Sequence, residues 1–450
     1  GITNPPLEVE HNWRQTTVTM AARNFLEVDA NILYPRIDIA GEKTGITGME
    51  FPILNYAILM VSKGFGYQHW YGRLINLITI SFGLWFFFAL CRKYFDEKVA
   101  LYATIILMCS IWFQFARKIM PDTFAISFLI AAVYFASNYL EQKGHQVLNL
   151  VLYALLACLG ILAKLPAGYL LIIFALWIFN PRILLSKKII FALVTIVILV
   201  PVVWWYFIWV PHLVAHYGFE HFFMGKGFSQ GITEIAHNLN ITFSRFYDTA
   251  LKFIGFATFL LGLYFIIKNR NRVLGLSLLL CTLGFAVIIF KAGFTFYHHS
   301  YYIIPFAPIM ALVAGYGLCQ IKNQKIALLL LAAIVIENIA NQQHDFFIKP
   351  KEQVLLSLDK DLDQAGVAQQ DLILINSDQY PTPMYFAHRK GWVDNNQTIK
   401  QAGYLDSLHS LGLKYVVILK NSFGTEMEIS DQNLVFSSVH YDIYGISRNP

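Results

Sequence analysis

Near the start of the chain, Glu8 and Glu10 flank Val9 and are followed directly by His11, Asn12, Trp13, Arg14 and Gln15. Two carboxylates, an imidazole, an indole and a guanidinium therefore share one short stretch. A carboxylate there could take a proton from an attacking hydroxyl, and a guanidinium could stabilise an anionic leaving group. Neighbouring charges are as often an ordinary solvated loop. The cluster gains weight only from what else the chain places at the same level.

Three other stretches carry candidate chemistry. Arg117-Lys118-Ile119-Met120-Pro121-Asp122-Thr123 sets two cations and an acid at a helix junction. Pro121 suits the first turn of a helix and Asp122 complements its N-terminal dipole, so capping alone accounts for the acid. It does not account for Arg117 and Lys118, and Lys164 and Lys291 raise the same question, to which lipid-phosphate snorkelling is the plain answer. Phe296-Tyr297-His298-His299-Ser300-Tyr301-Tyr302 precedes Pro305, with aromatics of the kind that collect at membrane interfaces. Finally, His212 and His216 have the i, i+4 spacing that can share a metal, with Glu220 and His221 nearby, but no third ligand is fixed by the spacing.

The elements that must position these groups are mostly apolar. Of 450 residues, 56% are hydrophobic and 14% charged, against about 25% charged in soluble domains, and the mean hydropathy is +0.51. Apolar runs longer than about 18 residues recur, the signature of transmembrane helices. Candidate spans cover 71–91, 99–116, 122–140, 147–163, 166–179, 189–210, 248–267, 273–290, 300–319 and 325–340, about ten in all. The fifth is short for a bilayer, and the Lys164-Leu165-Pro166 break suits a re-entrant tip. The net charge of +6 is modest and its basic residues sit between spans, which argues for topology and against a nucleic-acid surface. Arg92, Lys93, Lys98, Lys143, Arg182, Lys187, Lys188, Lys268, Arg270, Arg272, Lys322 and Lys325 mark one face as cytoplasmic. Segments 1–69 and 341–450 then fall on the outer face, and a chain starting outside predicts one further span upstream of Gly1. Cys91, Cys109, Cys158, Cys281 and Cys319 lie in or at the ends of apolar segments without a CxxC pair, so neither disulfides nor a zinc site are expected.

Three regions result: 1–69, a first outer loop with interfacial helices; 70–340, the transmembrane bundle; and 341–450, a small soluble α/β domain. In the first, a helix is expected from Thr16 to Phe25, and Glu50-Phe51-Pro52 opens a short apolar helix to about Val61. In the last, Asp371–Asn376 and Lys414–Lys420 read as buried strands, 397–411 as a helix between them, and 433–447 as a hairpin. Asp359-Lys360-Asp361-Leu362-Asp363 superficially matches a metal-binding Asp-x-Asp, but on an amphipathic helix such a run reads as a wet face. There is no phosphate-cradling Gly-rich loop and no HExxH. Asn240-Ile241-Thr242 and Asn396-Gln397-Thr398 are sequons that chance also produces.

Acids, cations and aromatics gathered on one face of a membrane bundle suit a reaction on a lipid-linked phosphate. In sugar transfer from a polyprenyl phosphate, the enzyme has to stabilise the departing phosphate with Arg or Lys. One carboxylate then serves as base toward the acceptor hydroxyl while the anomeric carbon inverts.

The runs His11-Asn12-Trp13-Arg14-Gln15, Ala22-Arg23-Asn24-Phe25, Tyr34-Pro35-Arg36, Glu50-Phe51-Pro52, Met120-Pro121-Asp122 and His299-Ser300-Tyr301-Tyr302 with Pro305 resemble bacterial members of the dolichyl-phosphate-mannose–protein mannosyltransferase family. That family includes the protein O-mannosyltransferases and the lipid A aminoarabinose transferase, membrane glycosyltransferases of the GT-C fold. The resemblance covers most of 8–320. It implies an α-helical polytopic membrane protein with a large first outer loop that holds an essential acid. The loop acid carries over to Glu10, with Glu8 next. The family commonly has Asp there, often as an Asp-Glu pair, whereas this chain has Glu-Val-Glu, which leaves the position of the base open by two residues. The family's second acid maps onto Asp122. Arg117 and Lys118 are then candidates for the lipid phosphate, with His11, Arg14, Lys164, His299, Tyr301 and Tyr302 as further donor-binding residues.

The expectation is an inner-membrane glycosyltransferase that faces the periplasm or exterior. Its donor would be a polyprenyl-phosphate sugar and its acceptor a protein, lipid A or glycan hydroxyl. No metal ligand set is assigned, and a divalent ion is an optional cofactor. The alternative is a transporter or flippase of a lipid-linked or anionic solute, which should show internal repeats and mid-span ionisable residues; the charges here lie at helix ends. A third reading, an outer binding module on a membrane anchor, leaves most of the spans without a purpose.

Overall fold

Helix breakers and caps divide the apolar sequence into its elements. A computed structural model describes residues 1–218, 225–430 and 432–446. Glu220, His221 and the last residue of the expected 433–447 hairpin lie outside the described residues. The chain divides into two units, one of Gly1–Gly72, Val210–His221 and Asp345–Pro450, the other of Arg73–Trp209 and Phe222–His344.

The second unit is helical. Among the described residues, seven helices are long and apolar enough to cross a membrane: Tyr71–Tyr94, Pro121–Leu140, Gln146–Ala163, Leu185–Tyr217, Arg272–Ala292, Ser300–Cys319 and Gln324–Phe346. An eighth is reached if Leu239–Ala250 and Lys252–Lys268, bent by 97° at Leu251, form one broken span. Two of the roughly ten expected spans do not appear as single long helices, for two local reasons. The run at 99–116 is interrupted at Ser110, whose hydroxyl donates to the Leu107 carbonyl at 2.6 Å and accepts from the Trp112 amide at 3.3 Å. It thereby ends the helix Glu97–Cys109 and caps the next, Ile111–Phe115. The run at 166–179 winds as a 3₁₀ helix, Leu165–Phe174, before a single α-turn, Ala175–Ile178. At about 2.0 Å of rise per residue it reaches farther than an α-helix of equal length.

The helix Ala307–Cys319 is buried from Ala307 to Leu318, as expected of a helix that is apolar all round. Small residues bring its neighbours close. A Cβ on Gly317 would meet the Gly262 backbone at 2.6 Å, and one on Gly315 would meet the Ala103 amide at 2.6 Å, the close backbone approach typical of membrane helices. All five cysteines are free.

The first unit is α/β. Asn12–Glu27 extends the expected Thr16–Phe25 helix at both ends, and Ile53–Phe65 is the expected short apolar helix. The strands β1 (Leu372–Ile375), β2 (Lys390–Val393), β3 (Leu413–Leu419), β4 (Asn433–Ser437) and β5 (Tyr441–Gly445) form one sheet in the order β2-β1-β3-β5-β4. β1 runs parallel to β2 and β3, while β5 is antiparallel to β3 and β4. The expected 397–411 helix is split at Gly403 (φ 76°) into Asn396–Ile399 and Tyr404–Ser410.

Leu7, Met20 and Ile37 share a buried core with Ile373, Ile375, Tyr385 and Val417. The N-terminal segment and the C-terminal domain thus fold as one body, with 210–218 joined to them. Polar contacts complete that body. Val9 N–H donates to the Phe347 carbonyl at 2.9 Å, and the Arg23 guanidinium donates to Asp38 at 2.8 Å and to the Tyr385 carbonyl at 2.9 Å. The Tyr385 hydroxyl lies 2.6 Å from both the Tyr67 hydroxyl and His69 Nδ1. Burial drives the Tyr67 phenol up to about 12 and the Tyr385 phenol well above its usual value, so both remain neutral hydrogen-bonding groups at any physiological pH.

Candidate active site

In the first unit the opening cluster separates into structural and accessible parts. Leu7 and Glu8 are fully buried, and Glu8 forms an antiparallel bridge with Ile348. The chain then turns at His11, which takes a left-handed conformation (φ 61°, ψ 32°) just before the helix Asn12–Glu27. This turn leaves the Glu10 side chain 44% exposed, with its Oε2 3.6 Å from His11 Nε2. Arg14, one turn into the helix, is buried and donates to Glu50 Oε1 at 2.5 Å, with both side chains nearly shut off from solvent. The helix therefore directs Arg14 into an ion pair with the motif that opens the next helix.

The second unit gathers most of its candidates at one place. Asp122 stands in the first turn of Pro121–Leu140, and Lys164 occupies the extended residue (φ −157°, ψ 107°) between Gln146–Ala163 and the 3₁₀ helix. Lys164 Nζ lies 3.5 Å from Asp122 Oδ1 and 5.8 Å from the centre of the Tyr301 ring, in cation–π range. Tyr301 stacks on Tyr302 at 5.1 Å and on His299 at 5.2 Å. Asp122, Lys164, Tyr301, Tyr302 and Pro305 line one small cleft of about 10 Å³, roughly the room of a single water. Pro166 prevents continuation of the preceding helix, and Ser300–Phe306 is itself 3₁₀. The two irregular segments are what bring Lys164 and the aromatic ladder to Asp122.

Arg117 and Lys118 belong to the turn before Asp122. The Arg117 guanidinium covers the Phe113 ring at 3.9 Å and donates to the Phe113 carbonyl at 3.3 Å, and Lys118 is fully buried. Two residues passed over in the sequence hold this turn. Arg73 donates to the Arg117 carbonyl at 3.0 Å, and Asn76 Nδ2 donates to the carbonyls of Lys118 at 2.5 Å and Met120 at 2.9 Å. Their signal was available: a cation and an amide just inside an apolar span are expensive in lipid unless they meet carbonyls.

Other sequence candidates are accounted for locally. His212 and His216 stack at 5.9 Å, and among the described residues no three His, Cys, Asp or Glu side chains converge as a metal site. The Asp359–Asp363 run is more than a wet face. Asp359 and Asp363 clamp the buried Arg389 at 2.6 and 2.5 Å, and Asp361 accepts from Tyr441 and Ser357. His388 lies 3.5 Å from Asp359 and 2.9 Å from Glu27, and these two partners raise its pKa above the usual value. Burial alone would raise Asp359, but the hydrogen bonds from His388 and Arg389 outweigh it and hold the acid below its ordinary range.

The dolichyl-phosphate-mannose-protein mannosyltransferase family model matches residues 50–206. That range includes Arg117, Lys118, Asp122 and Lys164, and it is narrower than the resemblance read along 8–320. No curated protein matches the sequence. Among solved structures, ArnT from Cupriavidus metallidurans in the apo state aligns with TM-score 0.60 and 13% identity over 96% of this chain and 93% of that one. The same protein bound to undecaprenyl phosphate aligns with TM-score 0.63 and 12% identity over the same shares. The Archaeoglobus fulgidus oligosaccharyltransferase, tethered with an acceptor peptide, aligns with TM-score 0.56 and 15% identity, covering 91% of this chain and 65% of that one. The chain is thus an integral membrane protein with the GT-C glycosyltransferase fold and a C-terminal α/β domain, and its residues 50–206 match the mannosyltransferase family.

Proposed function

We propose that the protein transfers a sugar from a polyprenyl-phosphate donor to an acceptor hydroxyl, with inversion at the anomeric carbon. ArnT is described with undecaprenyl phosphate bound and the archaeal oligosaccharyltransferase with dolichol phosphate, so a lipid-phosphate donor is the ligand class this fold makes most economical. The observation that carries the reading is the Asp122–Lys164 pair beside Tyr301. A lysine paired with a carboxylate beside an aromatic ladder is preorganised to take up the negative charge that develops on a departing phosphate. The stacked His299, Tyr301 and Tyr302 rings offer faces for the sugar or the first isoprene units.

Glu10 is the base in this reading. Its carboxylate is accessible, whereas Glu8 is buried in a backbone bridge. In one displacement, the acceptor oxygen attacks the anomeric carbon opposite the phosphate. The C–O bond to phosphate breaks, the electron pair leaves on the phosphate, and the hydroxyl proton passes to the carboxylate. Lys164, which lies 3.5 Å from Asp122, supplies charge compensation to the departing phosphate in this reading, and a divalent ion remains an optional addition. The acceptor is a hydroxyl of a protein, lipid A or glycan. The bias of basic residues to one end of the spans supports an inner-membrane location with transfer on the outer side.

The test uses purified protein in lipid nanodiscs, a panel of polyprenyl-phosphate sugars and the three acceptor classes, following release of free polyprenyl phosphate. Release by the wild type but not by Glu10→Gln is expected. Equal release by both moves the base to Glu8 or Asp122. Tight donor binding without release under any acceptor favours a transporter and overturns the proposal.

A further inference from the structure

A large, mainly apolar cavity lies away from the Asp122–Lys164 cleft. It lies in the second unit, has a volume of about 330 Å³, and is walled by the last two turns of Tyr71–Tyr94, by Ile130 and Val133 in the middle of Pro121–Leu140 with Glu141 after its end, by 170–180, by the first half of Arg272–Ala292 and by Pro308–Leu312. Its walls are mainly Phe, Leu, Ile and Val. Water needs two to four polar partners to occupy such a space, so an apolar chain is the natural filling in a bilayer. The cavity runs along its helix from Arg272 to Cys281, about 14 Å at the α-helical rise, close to half of a hydrocarbon core about 30 Å thick.

The polar groups lie at one end. Glu141 is already neutralised, with Lys93 at 3.1 Å and Lys143 at 2.9 Å, and it accepts from Tyr94 and from Trp177 Nε1. Arg272 lines the same end, is exposed, and forms no ion pair among the described residues. An acid closed off by two lysines leaves the guanidinium as the group that faces an incoming head.

We propose that this cavity is a binding site for an anionic phospholipid, with one acyl chain in the cavity and its phosphate on Arg272. The depth of a single leaflet favours an acyl chain over a polyprenyl chain, which would outrun it. The guanidinium matches a phosphate in charge and in bidentate geometry. The site is separate in its residues from the Asp122–Lys164 cleft and belongs to the opposite, basic-residue end of the helices that form it.

The experiment is native mass spectrometry of the full chain in mild detergent, titrated with phosphatidylglycerol, phosphatidylcholine or undecaprenyl phosphate. Two variants accompany the wild type: Ser277→Phe, which fills the cavity, and Arg272→Gln, at an exposed position that leaves the packing intact. The wild type is expected to retain one phosphatidylglycerol about tenfold better than phosphatidylcholine. Arg272→Gln should abolish that preference, and Ser277→Phe should abolish retention of both. Wild-type retention by both variants overturns the site. Undecaprenyl phosphate displacing phosphatidylglycerol at equal concentration overturns the choice of occupant. Should Ser277→Phe fail to fold, the Arg272→Gln comparison decides alone.

Discussion

Arg14 provides the sharpest test, because sequence and structure assign it different work. As a donor-binding cation it should meet a lipid phosphate; in the structure it pairs with Glu50 at 2.5 Å, with 2% and 10% of the two side chains exposed. Removing one partner of such a pair leaves a buried charge uncompensated, which destabilises by about 3–5 kcal/mol. In a unit of roughly 150–250 residues each kcal/mol moves Tm by about 2–4 °C, so Arg14→Met should lower the apparent Tm of the first unit by about 6–20 °C. Glu50→Gln should do nearly the same. The double variant Arg14→Met/Glu50→Gln removes both charges and should recover more than half of the loss, because the two effects share one interaction. The assay is tryptophan fluorescence against temperature at a fixed scan rate in detergent, with sugar transfer measured at 20 °C. A Tm shift under 2 °C in Arg14→Met, accompanied by abolished transfer and an unaffected Glu50→Gln, would refute the ion-pair assignment and return Arg14 to the phosphate.

Three further outcomes are expected. Lys164→Met should lower kcat for transfer by about 10²–10³ with little change in donor KM, and Asp122→Asn by less; a loss confined to KM would make Lys164 a ground-state binder only. Because the folded pKa of His388 is raised above 6.5, its contribution to stability is fully present below that value and fades as pH rises through the folded pKa. Asp359, held low, contributes above its ordinary range and loses this as pH falls through its depressed value. The Tm advantage of wild type over His388→Gln should therefore shrink from pH 6 to pH 9, and a constant difference would contradict the coupling. Chelation with EDTA should leave initial transfer rates unchanged, and a loss restored by magnesium or manganese would show that a divalent ion, not Lys164 alone, handles the phosphate.

The membrane class, the positions of most spans, the strands β1 and β3 and the hairpin β4–β5 were legible in the sequence, because each rests on local periodicity. Hydropathy reports the transfer of a segment into lipid, and alternation reports the two faces of a strand; neither needs a distant partner. Asp122 and Lys164 stood out as candidates because charges at span ends need partners, and Tyr301 and Tyr302 because they cluster beside them at an interface where rings collect. Their meeting was not. It depends on Pro166 and the 3₁₀ turns at 165–174 and 300–306, whose geometry is set by packing more than by propensity.

Other features existed only once the chain had folded. Whether Arg14 faces a ligand or Glu50 depends on a contact across 36 residues, and whether Glu8 or Glu10 is accessible depends on a bridge to Ile348. The joining of residues 1–72 to 345–450 rests on Leu7, Met20 and Ile37 entering a core built mainly by the C-terminal sheet. Periodicity shows which face of a segment is apolar. It does not show what will cover that face, because the free energy of burial depends on area and shape, not on order along the chain.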